Sequence, residues 1–350
     1  MDRVFASDSS VNAGPVVINV TAATEGVVGG IPNHAAGVGV ALRALLSNVL
    51  LIGRADPSPT GPYVDVPVTV LRPRLTRRLW HLTVLPTYLH RVKARAFVDV
   101  GFSTPPLQAC PTIVVIQDFV AFSEWRSTRA NGWLLRQVIL DSLRRASHIV
   151  FTSKSVQAEY AAAGLLRLRR LRPQATESVV PLGVSEEFLR GSSRSGVPMG
   201  VVWSGTAVAR KDETTMIAAS DIAGVSYECL GQARGRSGVS AAEIASQLSC
   251  CEVLVVTSRY EGFGLPVIEA RAVGVPVVCT DIPIHREVAD PESTIFFPPG
   301  DARALAKILL ERLWVGRPRR QSWFRSWMDV ARDTAGIIES LSTEPCHQNG

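Results

Sequence analysis

Apolar runs of strand length alternate with amphipathic stretches of helix length, and the alternation occurs twice along the chain. "PVVINV" reads as a buried strand, "GGIPNHAAGVGV" as a glycine-rich loop, "ALRALLSNV" as a helix and "LLIG" as the next strand. Further on, "TIVVIQD" ends a strand at Asp118, "WLLRQVILDSLRRA" is helical, "HIVFTS" is a strand and "KSVQAEYAAAGLLRLRR" a helix, with "SVVPLGV" closing the half. Strands in such an order are parallel and joined by helical crossovers, so the expectation is an α/β, doubly wound sheet.

After a Gly, Ser and Pro-rich linker at 190–198, "RGSSRSGVP", the pattern restarts with "GVVWSG", "ETTMIAASDI", "SYECLG", "SAAEIASQLSC" and "CEVLVVTS". With 350 residues and 46% hydrophobic positions, the chain has material for two cores. We therefore expect one domain over 1–190, a second over 197–320 and a closing helical segment over 321–342. Two such domains in tandem would leave a cleft at the carboxyl ends of both sheets.

The chemistry concentrates in "SRYEGFGLPVIEA", Ser258 to Ala270. A strand ends near Ser258, Gly262 and Gly264 permit a tight loop, Pro266 suits a first helical turn and Gly274 a helix end. Glu261 then precedes the helix and Glu269 lies about one turn inside it. The amides of Gly262, Phe263, Gly264 and Leu265 sit at the positive end of the helix dipole, an anion cradle with a carboxylate on either side. A nucleotide sugar fits: the diphosphate on the amides, a sugar hydroxyl near Glu261, a ribose diol on Glu269. A loop charge and a solvated helix glutamate are the plainer reading of the same two residues. "SGTAVARKD" sets Arg210 and Lys211 just ahead of another helix, where adjacent cations can neutralise a departing diphosphate.

"EGFGLPVIEA" resembles the E-x7-E signature of the retaining glycosyltransferases of family 4, among the group 1 glycosyltransferases, which have the GT-B fold. The resemblance extends over most of the chain: "GVGVALRALL", "VVPLGV", "SGTAVARKD", "DIPIHREV", "FFPPGDARALAKIL" and "SWFRSWMDVARDTAGIIESL" all have counterparts, the last as a helix packing back on the first domain. It implies that Glu261 and the amides after it contact the donor sugar and that Glu269 holds the ribose. It further implies that Arg210 and Lys211, with Gly205 of the same segment, bind the diphosphate, and that Gly37 and Gly39 approach it from the other domain. Many members carry a histidine before the aspartate that ends the strand "VVIQD"; Gln117 stands there, before Asp118, and can still hydrogen-bond a hydroxyl without carrying charge.

Other classes fit less well. A dinucleotide-binding GxGxxG would need glycine where Leu42 stands, and no acidic residue ends "VLLIG". No Asp-x-Asp pair is present to hold a divalent ion, and His34, His81, His90, His148, His285 and His347 show no ligand spacing and read as surface or packing residues. The expectation is a transferase with no cofactor and no metal requirement, its nucleoside-diphosphate sugar being a substrate. Mannose from GDP-mannose is the first donor to consider, and envelope polysaccharide or glycolipid assembly the setting. The alternative is a non-catalytic sugar-nucleotide-binding partner or sensor that keeps the fold.

The net charge of +6 resides in arginine runs at 72–78, 167–172 and 317–320. No nucleic-acid-binding pattern accompanies them, so the expected partners are a nucleotide-sugar donor and a carbohydrate or lipid-linked glycan acceptor. Arg72, Arg74, Arg77 and Arg78 precede "LWHLTVLPTYLHRV", which is either an amphipathic helix on its own sheet or a face that meets an anionic membrane. Cys110, Cys229, Cys250, Cys251, Cys279 and Cys346 lack CxxC spacing, and "MDRVFASDSSVNAGP" lacks the apolar core of a signal peptide. The expected location is cytoplasmic, with peripheral contact at the inner membrane face as the open question.

Overall fold

The computed structural model describes residues 14–20, 30–54, 65–68, 74–100, 104–123, 129–165, 175–190, 199–206, 208–231, 239–316 and 324–343. The first sheet contains β1 (Val16–Asn19), β2 (Val49–Arg54), β3 (Val66–Val68), β4 (Ala96–Asp99), β5 (Thr112–Ile116), β6 (His148–Phe151) and β7 (Thr176–Val179). Their order is β3-β2-β1-β4-β5-β6-β7, every pair parallel. The second contains β8 (Met199–Trp203), β9 (Tyr227–Cys229), β10 (Cys251–Val256), β11 (Val277–Thr280) and β12 (Thr294–Phe297), ordered β12-β11-β10-β8-β9 and again parallel.

Both sheets are covered on both faces, which is why central strands such as β1, β5, β10 and β11 are largely apolar instead of alternating, while the edge strands β7 and β9 carry polar residues. In β1, Val16 and Ile18 join one core with α1 (Gly30–Leu45), while Val17 joins another with Leu85 and Leu89 of α2 (Arg74–Arg91). In β10, Leu254 and Val256 pack toward α7 (Ala241–Cys250) and α8 (Leu265–Val273), and Val253 and Val255 toward α6 (Glu213–Ala223) and α10 (Ala302–Glu311). The remaining helices are α3 (Arg129–Arg145), α4 (Lys154–Ala162), α5 (Glu186–Leu189), α9 (Pro283–Val288) and α11 (Trp327–Thr343). Val330, Ala331, Ala335 and Ile338 of α11 are buried in the first sheet's core, and Trp327 borders the cores of both halves. A parallel bridge between Val184 and Ser326 lays the two connections between the halves side by side.

Two local expectations are corrected. The stretch from Gly30 to Val40 is not a loop but the first half of α1. Its glycines serve packing: a Cβ on Gly37 would lie 2.4 Å from Cδ2 of Trp327, and one on Gly39 would lie 3.3 Å from Cγ1 of Val20. The helix begun at Lys154 ends at Ala162, with Gly164 at φ +68° shortly after, and the expected continuation from Leu166 to Arg170 lies outside the described residues. The linker at 191–198 and the arginines at 167–172 and 317–320 lie outside the described residues. Arg72 also lies outside them, as do the side chains of Arg74, Arg77 and Arg78. The stretch after them is indeed helical, with Leu85 and Leu89 packed on the first sheet and Leu82 and Val84 exposed. Among the described residues no helix is long and apolar enough to cross a membrane.

Gly37→Ala should therefore lower the melting temperature by several degrees, since the indole ring cannot withdraw without disturbing two cores; overpacking of this kind costs about 1–3 kcal/mol. Gly39→Ala, whose tight contacts are with the side-chain ends of Val20 and Leu51 and which gains helix propensity, should lose much less than Gly37→Ala in the same thermal scan.

Candidate active site

The order of the second sheet reverses between β8 and β10, so the loops after these strands lie side by side at one edge of the domain. Several hydrogen bonds join them. The indole N–H of Trp203 donates to Oγ1 of Thr257 at 2.8 Å, and that hydroxyl donates to the carbonyl of Lys211 at 2.7 Å. The amide of Arg259 donates to the carbonyl of Arg210 at 2.8 Å. Arg210 and Lys211 occupy a 3-10 turn that ends on Asp212, whose carboxylate caps α6 and accepts from Nε of Arg259 at 2.6 Å. Gly205 earlier in the same loop packs over the indole of Trp203.

The loop after β10 turns into α8 through Gly264, which has φ +80°, a value a side chain would strain. No side chain caps α8, Pro266 fills its first turn, and Gly274 ends it. The N–H groups of Gly262, Phe263, Gly264 and Leu265 make no hydrogen bond to another described residue. The side chains of Phe263 and Leu265 belong to the core, so these two residues present only their backbone.

Glu261 sits at the mouth of this cradle and is 8% exposed. It accepts from Nζ of Lys211, from Nη1 of Arg210 at 3.3 Å and from Oγ of Ser258 at 2.8 Å. Burial alone would raise its carboxyl, but the two cations and the hydrogen bonds override it and hold the group down to about 2. Glu269, inside α8, has no such shell. Burial pushes it up to about 7, opposed only by the charge of Lys211. The surroundings thus pull the two glutamates in opposite directions: the cations favour the ionised form of Glu261, and burial favours the protonated form of Glu269.

The first domain reaches the same place with the residues after β5. Burial raises the carboxyl of Asp118, Arg210 lowers it and Glu261 raises it, so the fields of these groups meet there. The amide of Val120 donates to Oδ1 of Asp118 at 3.0 Å. A Cβ on Gly262 would lie 2.0 Å from the carbonyl oxygen of Gln117, which places the cradle directly on the neighbouring strand end. Nε2 of Gln117 is buried with no hydrogen-bond partner among the described residues.

The structure thus brings together Asp118, Gln117, Arg210, Lys211, Glu261 and the amides of residues 262–265, with Glu269 one turn away. It sets Gly37 and Gly39 within α1 against Trp327 and the first core, positions their close packing explains without a ligand. Three participants went unrecognised in the sequence. His285 is fully buried in α9, where Nδ1 donates to the carbonyl of Thr280 at 2.8 Å, leaving Nε2 as a buried acceptor beside Gly264. Tyr260 and Glu159 meet across the two halves. Nothing in the spacing of these residues marks them, because Tyr260 and Glu159 are 101 positions apart and the partner of His285 is a backbone carbonyl.

A model of the family described as "Glycosyl transferases group 1" matches residues 236–322. Over 114 residues the chain is 35% identical to the MMP alpha-(1->4)-mannosyltransferase of Mycolicibacterium hassiacum, covering 29% of this chain and 28% of that one. A second relative, O-antigen chain mannosyltransferase B of Escherichia coli, is 37% identical over 65 residues, 19% of this chain and 17% of its own. Sucrose-phosphate synthase from Thermosynechococcus elongatus superposes with a TM-score of 0.64 at 18% identity, over 94% of this chain and 96% of that one. Anabaena Alr3699/HepE in complex with UDP and glucose gives 0.65 at 16%, over 94% and 100%. The fold is GT-B. The group 1 glycosyltransferase family is supported by the matched segment together with this GT-B frame; the segment holds Glu261 and Glu269, while Gln117, Asp118, Arg210 and Lys211 lie outside it.

The contrast between the glutamates has a consequence for stability. Because the fold raises the Glu269 carboxyl above its unfolded value, the native state favours the protonated form. That preference is present in full below the unfolded pKa and is lost as pH rises through about 7. Glu269→Gln should therefore melt near wild type at pH 5 and above it at pH 8; an equal difference at both values would place the carboxyl in water.

Proposed function

We propose that the protein is a retaining glycosyltransferase that moves a sugar from a nucleoside-diphosphate sugar to a hydroxyl acceptor. The observation that carries this reading is Glu261, ionised beside an uncapped helix N-terminus and held by Arg210 and Lys211. A diphosphate on the free amides of α8 would lie within the field of both cations. Charge that develops on the leaving group is then met by groups already in place. Glu261 is placed to accept from a sugar hydroxyl and Glu269 from the ribose, while Asp118 and Gln117 supply the face from the first domain.

The names of the two relatives, both mannosyltransferases, favour mannose and make GDP-mannose the first donor to try, with an acceptor from envelope polysaccharide or glycolipid synthesis. Neither residue set requires a metal or cofactor, since Arg210, Lys211 and the helix terminus provide the positive charge. A lipid-linked acceptor would fit a location at the inner face of the membrane, with the exposed Leu82 and Val84 of α2 near the arginine run. The test is release of nucleoside diphosphate from GDP-mannose and from UDP-sugars with and without acceptor. Nucleotide binding without turnover on any donor would favour the sensor reading.

Two outcomes follow from the assigned roles. Glu269→Ala should mainly raise KM for the donor, because a ribose contact changes little between ground and transition states, whereas Glu261→Ala should mainly lower kcat. Small, equal effects would remove the assignment. Replacing Arg210 and Lys211 together should lower the rate by about two to four orders of magnitude, the scale of losing transition-state electrostatics, while EDTA leaves wild type active. Loss of transfer in EDTA with recovery in magnesium would show that a metal supplies the charge.

A further inference from the structure

Tyr260 stands immediately before Glu261, yet its side chain leaves the second domain. Its hydroxyl accepts from the amide of Phe119 at 2.8 Å and donates to Oε2 of Glu159 at 2.8 Å. Phe119 follows Asp118, and Glu159 lies in α4, so the phenol spans the end of β5 and the first domain's helix. The bond directions are fixed: the amide can only donate, so the phenolic proton is committed to the carboxylate.

The same seam is closed at two further points. Oγ of Ser153 donates to the carbonyl of Gly262 at 3.2 Å. Glu287 of α9 accepts from the amides of Lys154 at 2.7 Å and Ser155 at 2.8 Å, so amides of the first turn of α4 are satisfied by the other domain. The residues on both sides of Glu261 in sequence are therefore bound to the first domain, while Glu261 itself is bound to the second.

We propose that Tyr260 is a positioning residue that couples docking of the two domains to the placement of Glu261 against Asp118. Resting on the transferase reading above, this makes the clasped seam the arrangement in which donor and acceptor groups face one ligand. The nucleoside diphosphate itself needs only the second domain's cations and amides. Loss of the phenolic hydroxyl thus weakens the step that uses both domains and spares nucleotide binding.

Tyr260→Phe keeps the ring and removes both hydrogen bonds, one of them to a charged group. Turnover with acceptor should fall about 10- to 100-fold, as such a pair implies, while the Kd for GDP or UDP, whichever wild type binds, stays within about 3-fold. Glu159→Gln, which keeps an acceptor oxygen, should retain most of the activity that Glu159→Leu loses. Hydrogen exchange gives a readout independent of activity. A coupled seam predicts faster exchange in Tyr260→Phe at Phe119 and also at Lys154 and Ser155, which Tyr260 does not touch. Gly262→Ala, whose methyl group would meet the Gln117 carbonyl, should open the same amides. Unchanged exchange at Lys154 and Ser155 in both variants would overturn the proposal. So would nucleotide affinity falling in step with turnover, because it would make Tyr260 part of the donor site alone. If wild type transfers no sugar, the transferase reading fails, and the exchange measurement still decides the clasp.

Discussion

A carboxylate as enclosed as Glu261 is tenable only with compensating charge, and its two cations come from a different loop. Removing a charge from water costs several kcal/mol unless geometry returns it. The loop after β8 must therefore stay in register with the loop after β10. Trp203, Thr257 and Lys211 form the bonded chain that keeps it there, and Asp212 with Arg259 repeats the tie on the far side. The parallel order of the second sheet makes these loops neighbours; the hydrogen bonds make them rigid. A site built on such a frame meets developing charge without reorganising, which is the property electrostatic catalysis requires.

The two glutamates show how position, more than residue type, sets chemistry. Both feel the charge of Lys211, yet one is held low and the other is raised. Glu261 precedes α8 and lies within reach of Lys211, Arg210 and Ser258. Glu269 lies within the helix, where the backbone is already bonded and only the field of Lys211 reaches it. A carboxylate near its midpoint at neutral pH can exchange its proton for a hydrogen bond from a ligand hydroxyl. One fixed in the ionised state serves better beside a centre that becomes positive.

Much of this was legible in the amino-acid order. The alternation of apolar and amphipathic runs predicts both sheets, and Gly264, Pro266 and Gly274 predict α8 because each has a local backbone reason. Where local reasoning fails, a long-range contact has decided. The glycines of α1 read as a loop because glycine disfavours helix; the indole of Trp327, from the far end of the chain, makes the absence of a side chain at Gly37 an advantage there. β4 carries the buried Asp99 at its end and lies between β1 and β5, although "AFVD" is too short to announce itself. His285 shows no ligand spacing because its partner is a backbone carbonyl. Tyr260 has no sequence signal at all, its partners lying 141 and 101 positions away.

Those distant contacts share one location, the seam between the two sheets. The first domain offers the amides of Phe119, Lys154 and Ser155, all donors. The second answers with the phenol oxygen of Tyr260 and the carboxylate of Glu287, both acceptors. The hydroxyl of Ser153 donates in the same sense to the carbonyl of Gly262, and the bond from Tyr260 to Glu159 runs the other way. A seam of few, directional polar bonds closes specifically and opens at modest cost, unlike an apolar interface of the same extent, and inter-domain surfaces of this polar kind are the ones that permit motion. The proposed transfer has that mechanical requirement, since its site would admit a nucleotide sugar, align a second substrate and release both products. The residue that joins this seam to the reacting centre is adjacent in sequence to the carboxylate it positions, so any movement of one domain against the other is delivered to Glu261 through a single peptide bond.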